Sequence, residues 1–187
     1  MLKRLLDLMM AMVLVVFFVV PFLLVAVAVR LTSKGSVLYW SDRVGRDNVI
    51  FRMPKFRSMR TETPSVATHL LEDPLSHLTP IGGFLRKTSL DELPQLWSIF
   101  RGDMSFVGPR PALYNQYDLI RLRTEVGVHV LRPGLTGWAQ VNGRDELPIP
   151  EKVKFDAEYK RRQSLMFDMK IMFITACKVI KRDGVVH

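Results

Sequence analysis

The sequence predicts an α+β protein: one domain with a short β-hairpin and several helices, led by a long apolar helix. Three observations lead there. An unbroken apolar run near the N-terminus has the length of a bilayer, β-prone runs flank a polar turn after it, and beyond residue 80 apolar residues recur at helical spacing. The 187 residues suffice for one domain with a modest core and speak against a multidomain assembly. Lys and Arg number 27 against 18 Asp and Glu, a formal charge of +9. With 48% hydrophobic residues, the chain is too apolar for a disordered basic tail. A lone cysteine, Cys177, excludes disulfide frameworks and cysteine-based zinc clusters.

Residues 8–29 carry no charged or hydrogen-bonding side chain, and such a run makes about 33 Å of helix, enough to cross a bilayer. A signal peptide is disfavoured, because the run exceeds the usual h-region. Pro21 removes a backbone hydrogen bond inside the run and predicts a kink or break there. Basic residues stand at both ends: Lys3 and Arg4 before, Arg30, Lys34, Arg43 and Arg46 after. The positive-inside rule wants both flanks in the cytoplasm, which a helix bent back on itself satisfies and a straight span does not. Straight spans are the commoner solution, however, and tolerate proline, so the residues alone favour spanning slightly. The chain divides into residues 1–34, a membrane segment with its flanks, and residues 35–187, a basic domain whose charge faces something anionic.

Residues 37–40 and 49–53 are β-prone and flank the polar turn 43–48, which reads as a hairpin. Strand alternation continued through residues 55–60 places Lys55 and Arg57 on one face, Phe56 and Ser58 on the other. Residues 61–80 are loop, interrupted by Pro64, Pro74 and Pro80. Next, Leu93, Leu96, Trp97 and Phe100 recur at i, i+3, i+4 and i+7, one apolar helical face ended by Gly102, with Pro94 in the first turn. Asp91 and Glu92 then fall at the helix N-terminus. On local pattern alone, capping is the commoner explanation, with Asp91 as N-cap or Ser89 and Glu92 as a capping box. The chemical alternative uses the same place: a carboxylate beside free N–H groups can attack phosphorus if cations neutralise the repulsion. Arg110, between Pro109 and Pro111, sits on a stiff loop suited to bidentate phosphate contact, although taken singly it reads as a surface arginine.

Arg132 and Arg144 lie in turn sequences, as phosphate ligands or as ordinary turn residues. Asp156, Tyr159 and Asp168 read as surface or packing residues of helices. Phe167, Ile171, Met172, Ile174 and Val179, with Lys170, Lys178, Lys181 and Arg182, predict an amphipathic helix for the core or the membrane interface. His69, His77, His129 and His187 show no metal spacing, and Cys177 reads as a small buried hydrophobe. Motifs for reading nucleic acid are absent, so no nucleic-acid partner is expected.

Four blocks, in order, resemble the bacterial sugar transferases, which are monotopic polyprenyl-phosphate phosphoglycosyl transferases. They are Lys55-Phe56-Arg57-Ser58-Met59, Arg86-Lys87-Thr88-Ser89-Leu90-Asp91-Glu92-Leu93-Pro94-Gln95-Leu96, Arg101-Gly102-Asp103-Met104-Ser105-Phe106-Val107-Gly108-Pro109-Arg110-Pro111 and Arg132-Pro133-Gly134-Leu135-Thr136-Gly137-Trp138-Ala139-Gln140-Val141-Asn142-Gly143-Arg144. The resemblance spans nearly the whole chain and is to the minimal catalytic form. One departure is Val20 before Pro21, where small members often carry serine. The resemblance implies a re-entrant helix broken at Pro21 and a catalytic domain on the cytoplasmic face of the bacterial inner membrane, serving the first membrane step of glycoconjugate assembly. It further implies that Asp91 attacks the β-phosphorus of a UDP-sugar, that UMP leaves, and that polyprenyl (undecaprenyl) phosphate collects the phosphosugar. Glu92 would complete the dyad, Mg²⁺ with Asp91 as its protein ligand would balance the pyrophosphate, and Lys55, Arg86, Arg110 and Arg144 would contact phosphate. The enzymatic alternative is a membrane-anchored nucleotide-sugar glycosyltransferase releasing UDP, but such folds commonly hold metal with Asp-x-Asp, which does not occur in this chain. An adaptor for anionic lipid would use the charge alone. Neither the sugar nor the oligomeric state is legible.

Overall fold

The computed structural model describes residues 2–64, 73–143 and 147–181; Arg144, Arg182, His69 and His187 lie outside them. Helix α1 (Leu2–Thr32) is long and apolar enough to cross a membrane. It stays helical through Pro21, so the expected break does not occur. A chain this apolar has no other partner for its backbone groups, and losing one hydrogen bond to proline costs less than unwinding a turn.

Both ends of α1 dock on the same body. Near the N-terminus Lys3 donates to Asp168 Oδ2 at 2.6 Å and to the Val107 carbonyl at 3.1 Å, and Arg4 donates to the carbonyls of Ile99 and Phe100. Asp7, buried, accepts from the Ser105 hydroxyl at 3.1 Å and the Phe106 N–H at 3.2 Å. At the other end Val25 and Val29 pack with Phe56 and Leu85. There Arg57 donates to the Ser33 carbonyl and hydroxyl at 3.1 and 2.9 Å. Between these ends Val13, Val16, Phe17, Val20 and Leu24 are exposed.

Strands β1 (Leu38–Val44) and β2 (Ile50–Phe56) form the expected antiparallel hairpin, with Leu38 opposite Phe56 and Val44 opposite Ile50. Asp47 and Asn48 take φ of 55° and 60° at its tip, the two left-handed positions of a type I′ turn, which Asp and Asn tolerate. Phe51 and Met53 enter the core, Ile50 and Arg52 stay outside, and the inward face ends at Lys55 and Arg57.

Helix α2 (Gly82–Thr88) leads into a 3₁₀ segment (Leu90–Gln95) and then α3 (Leu96–Arg101), which Gly102 closes at φ 92°. The helix expected across residues 93–100 is therefore two elements. Leu96 and Ile99 set the inward face of α3, which turns Trp97 out to 55% exposure and corrects its placement on the buried stripe. β3 (Ser105–Val107) pairs in parallel with β4 (Gly134–Thr136), an arrangement the sequence did not announce. Helices α4 (Tyr117–Glu125), α5 (Trp138–Asn142), α6 (Ile149–Arg162) and α7 (Leu165–Lys181) complete the body. The main core gathers Ala11, Phe51, Met53, Ile99, Tyr159 and Ile171.

Asp156, Tyr159 and Asp168 prove to be core polar groups. The Tyr159 hydroxyl lies 2.7 Å from Asp168 Oδ1 and 3.1 Å from the Val107 carbonyl. Burial and then the Asp168 bond hold it protonated, well above the usual tyrosine range. Helix α7 is amphipathic as expected: Phe167 and Ile171 are buried in the core, while Met166, Met169 and Phe173, at i, i+3 and i+7, form an exposed apolar stripe. Cys177 is partly exposed rather than buried.

Candidate active site

Three stretches converge on Glu92. The end of β2 brings Lys55, whose Nζ lies 2.7 Å from Glu92 Oε1, and the loop after β3 brings Arg110, with Nη1 3.8 Å from the same oxygen. The third is the chain around the dyad itself. Ser89 adopts φ 56°, left-handed for a residue with a side chain, and turns the path from α2 into the 3₁₀ segment. That bend brings Arg86, at the end of α2, near enough to act on Asp91. Lys55, Arg86, Asp91, Glu92 and Arg110, which the resemblance grouped, thus lie together. Pro21 lies instead in the midsection of α1, and Arg144 is outside the described residues.

The capping explanation of the two acids fails. Ser89 makes no side-chain cap bond, Asp91 is the second residue of the 3₁₀ segment rather than an N-cap, and the α-helix begins only at Leu96. Little helix dipole is therefore available, and the local cations supply the field.

The two neighbouring carboxyls are driven apart. Asp91 is 6% exposed; burial pushes it up to about 6, with Glu92 adding to the rise and Lys55, Arg86 and Arg110 opposing it. Burial would raise Glu92 as well, but Lys55 and Arg110, with hydrogen bonds from Lys55 and Gln95, overturn that and hold it well below the usual range. One acid is a fixed anion, and the other exchanges its proton near neutrality. Adjacent acids separated in this way mark places where a carboxylate does chemistry.

The position of Arg110 is built from backbone contacts. The Arg43 guanidinium donates to the Pro111 carbonyl at 3.2 Å, the Val44 N–H to the Ala112 carbonyl at 2.9 Å, and the Gly134 N–H to the Pro109 carbonyl at 2.9 Å. A Cβ on Gly108 would fall 2.3 Å from the Arg132 carbonyl oxygen, and one on Gly137 2.0 Å from that of Gly108, so both positions require glycine. Arg123 adds a buried brace: Nη1 donates to the Arg110 carbonyl at 2.8 Å, while Nε and Nη2 hold Asp156 Oδ2 at 2.9 and 2.6 Å. Sequence reasoning missed this pair. A signal was available, since Asp156 lies three residues from both Val153 and Tyr159, on their buried helical face.

Among the described residues no three His, Cys, Asp or Glu side chains gather as metal ligands, which leaves no all-protein cage. Mg²⁺ bound through substrate phosphates needs only one or two protein carboxylates, and Asp91 would be the one to hold it.

Comparison with known proteins places these residues in a wider group. The family model described as bacterial sugar transferase matches residues 1–182. The chain is 41% identical over 95% of its length to the UDP-glucose:undecaprenyl-phosphate glucose-1-phosphate transferase of Escherichia coli K12, and 38% identical over 98% to the UDP-galactose-lipid carrier transferase of Erwinia amylovora. It spans about two fifths of those relatives, 40% and 41% of their lengths. An uncharacterized sugar transferase of Bacillus subtilis, EpsL, is 39% identical over 98% of this chain and 90% of its own.

Proposed function

Because the chain belongs to the bacterial sugar transferase family, we propose that it moves a sugar 1-phosphate from a UDP-sugar to undecaprenyl phosphate and releases UMP. The observation that carries this reading is the dyad of oppositely shifted acids inside a cluster of cations. The activity for which the Escherichia coli relative is named supports the choice of donor and acceptor.

In the first half-reaction the ionised Asp91 attacks the β-phosphorus. A bond forms between its carboxylate oxygen and phosphorus, the bridging P–O bond breaks, and the electron pair leaves with UMP. In the second, an oxygen of the lipid phosphate attacks the same phosphorus and expels Asp91. Lys55, Arg86 and Arg110 oppose the negative charge of the diphosphate, and Arg144 is assigned the same role. Glu92 keeps Lys55 and Arg110 in place, and its charge makes Asp91 a stronger base. Bound Mg²⁺ would supply further neutralisation of the diphosphate from a position on Asp91. One phosphoric anhydride replaces another, so no ATP is needed.

The acceptor is a lipid, and α1 suits that. With both ends fastened to one body and the midsection apolar and exposed, α1 lays its apolar midsection in the bilayer while both ends stay on one side, so the protein is monotopic. The basic flanks put the body on the cytoplasmic face of the inner membrane, where the first membrane step of glycoconjugate assembly takes place.

The test is a quenched-flow experiment with the full chain, UDP-sugar and Mg²⁺ but no lipid acceptor. About one equivalent of UMP per active site is expected, with the β-phosphate label on the protein. Release of UDP would refute the transfer of a phosphosugar. Enzyme active with acceptor that gives neither UMP nor labelled protein without it would refute the covalent step.

A further inference from the structure

Arg57 is a buried charge for which the proposed reaction has no use. It is 5% exposed, and Nη2 of its guanidinium donates to the Ser33 carbonyl and hydroxyl, just past the end of α1. Nε and Nη1 are sealed inside the protein with no hydrogen-bond partner among the described residues, so no ligand reaches them. The chain leaving α1 wraps the group closely: a Cβ on Gly35, at φ 106°, would fall 2.2 Å from Nη1. A buried charge with unmet donors adds little to stability, and an apolar side chain of similar volume commonly serves a core as well or better. What a guanidinium adds is direction. Val25 and Val29 of α1 pack with Phe56 and Leu85, and Leu90 and Leu93 of the dyad's 3₁₀ segment join the same cluster. Apolar contacts of this kind draw α1, β2 and the 3₁₀ segment together without fixing how they are turned. Two hydrogen bonds to one residue do fix it.

We propose that Arg57 is a positioning residue, which ties the end of β2 to the exit of α1 and so holds Lys55 in place beside the dyad. The proposal rests on the reading of Lys55, Arg86 and Arg110 as the diphosphate site. Lys55 and Arg57 are two positions apart at the end of β2, on its inward face, and Lys55 Nζ lies 2.7 Å from Glu92 Oε1. The Arg57 N–H donates to the Val37 carbonyl at 3.0 Å, which holds this end of the strand to the chain entering β1 but not to the dyad. Without the tie to Ser33 the strand end is free to turn and to carry Lys55 away from the phosphates. Sealed on all sides, Arg57 meets no substrate atom, so its effect on the site passes through Lys55.

The full chain in detergent is titrated with pyrophosphate by calorimetry, which gives the dissociation constant and the fraction of competent sites separately. Arg57→Met should raise the constant about threefold in the parent and leave it unchanged in Lys55→Met, where no lysine remains to be placed. A merely structural role would lower the competent fraction and leave the constant alone. That result, or an equal loss of affinity in both backgrounds, which would mean that Arg57 acts by its own charge, overturns the assignment. Gly35→Ala keeps Arg57 and its charge but pushes the guanidinium from its seat, and it decides the matter if Arg57→Met does not fold. The same loss, dependent on Lys55, is expected, and affinity equal to the parent's overturns the proposal. A parent chain that binds no pyrophosphate refutes the diphosphate site and the proposal with it. The reaction is judged apart from this, by UMP release from UDP-sugar: its absence refutes the donor, whereas turnover with pyrophosphate affinity indifferent to Arg57 refutes the positioning role alone.

Discussion

Lys55→Met probes how the dyad is tuned. Lys55 is the strongest of the cations that oppose the effect of burial on Asp91, and it sits 2.7 Å from Glu92. Arg110, 3.8 Å from Glu92, keeps that acid ionised in the variant, so Asp91 loses its main opposing charge and still faces a like one. A charge within one side chain's reach, acting through an effective dielectric near ~20, contributes at least about 1 kcal/mol, which is roughly one pH unit. Asp91 then titrates near ~7 instead of about 6. At pH 6 its ionised fraction falls from about one half to about one tenth, a roughly fivefold loss of attacking carboxylate. The assay is the rate of the acceptor-free UMP burst at subsaturating UDP-sugar and fixed Mg²⁺, which reports ionisation of the free enzyme, followed from pH 5 to 9. The acid limb should move up in Lys55→Met and down in Glu92→Gln, which removes the like charge. Weaker phosphate binding lowers the plateau but leaves the midpoint alone, so the midpoint is the diagnostic quantity. Limbs that stay in place in both variants, or move in the same direction, would refute the electrostatic account.

Asp91→Asn should abolish UMP release yet leave the fold intact. A raised carboxyl destabilises the folded state increasingly as pH climbs from about 4 to about 6 and by a constant amount above, so the variant should exceed the parent by about 1 to 3 kcal/mol at pH 8 and match it at pH 4 in thermal unfolding. A variant less stable than the parent at pH 8 would contradict this. Arg123→Met strands Asp156 in the core and should cost about 3 to 5 kcal/mol, most of it restored by adding Asp156→Leu; full stability of the single variant in urea would dismiss the brace. For topology, a cysteine at Leu2 in a Cys177→Ser background should escape an impermeant maleimide in intact cells and react after permeabilisation. Labelling from the periplasmic side would mean that α1 spans.

The parts legible in the sequence are those whose causes are local. Alternation on either side of Asp47 and Asn48 is enough to make the hairpin, and an apolar run needs no partner to be helical. The separation of the two acids is not local: Lys55 lies 37 positions from Glu92, and no periodicity announces that they meet. Only the resemblance of whole blocks linked them. The bend at Ser89 escaped because serine is an unusual residue for a left-handed φ, so the spacing of Leu93, Leu96, Trp97 and Phe100 read as one helix. The β3 and β4 strands are three residues each, too short for a period, and glycines that admit backbone against backbone decide their pairing. Asp156 and Asp168 look like surface acids because the cations that pair with them, Arg123 and Lys3, come from distant helices.

The fastening of α1 also has an order in time. As the chain emerges from the ribosome, Arg57 can reach Ser33 after only 24 residues. Arg4 and Asp7 wait 95 to 99 residues for their partners in α3 and β3, and Lys3 waits 165 for Asp168. At about 5 to 20 residues per second, the last of these delays is about 8 to 33 s. For that interval the N-terminal end of a strongly apolar helix is in place without its final clasp. The helix is thus secured from its exit end backwards, and synthesis of α7 is the step that completes the anchor. A ribosome that stalls within α6 leaves a nascent chain whose α1 can be held by Arg4 and Asp7 but lacks the ion pair of Lys3 with Asp168.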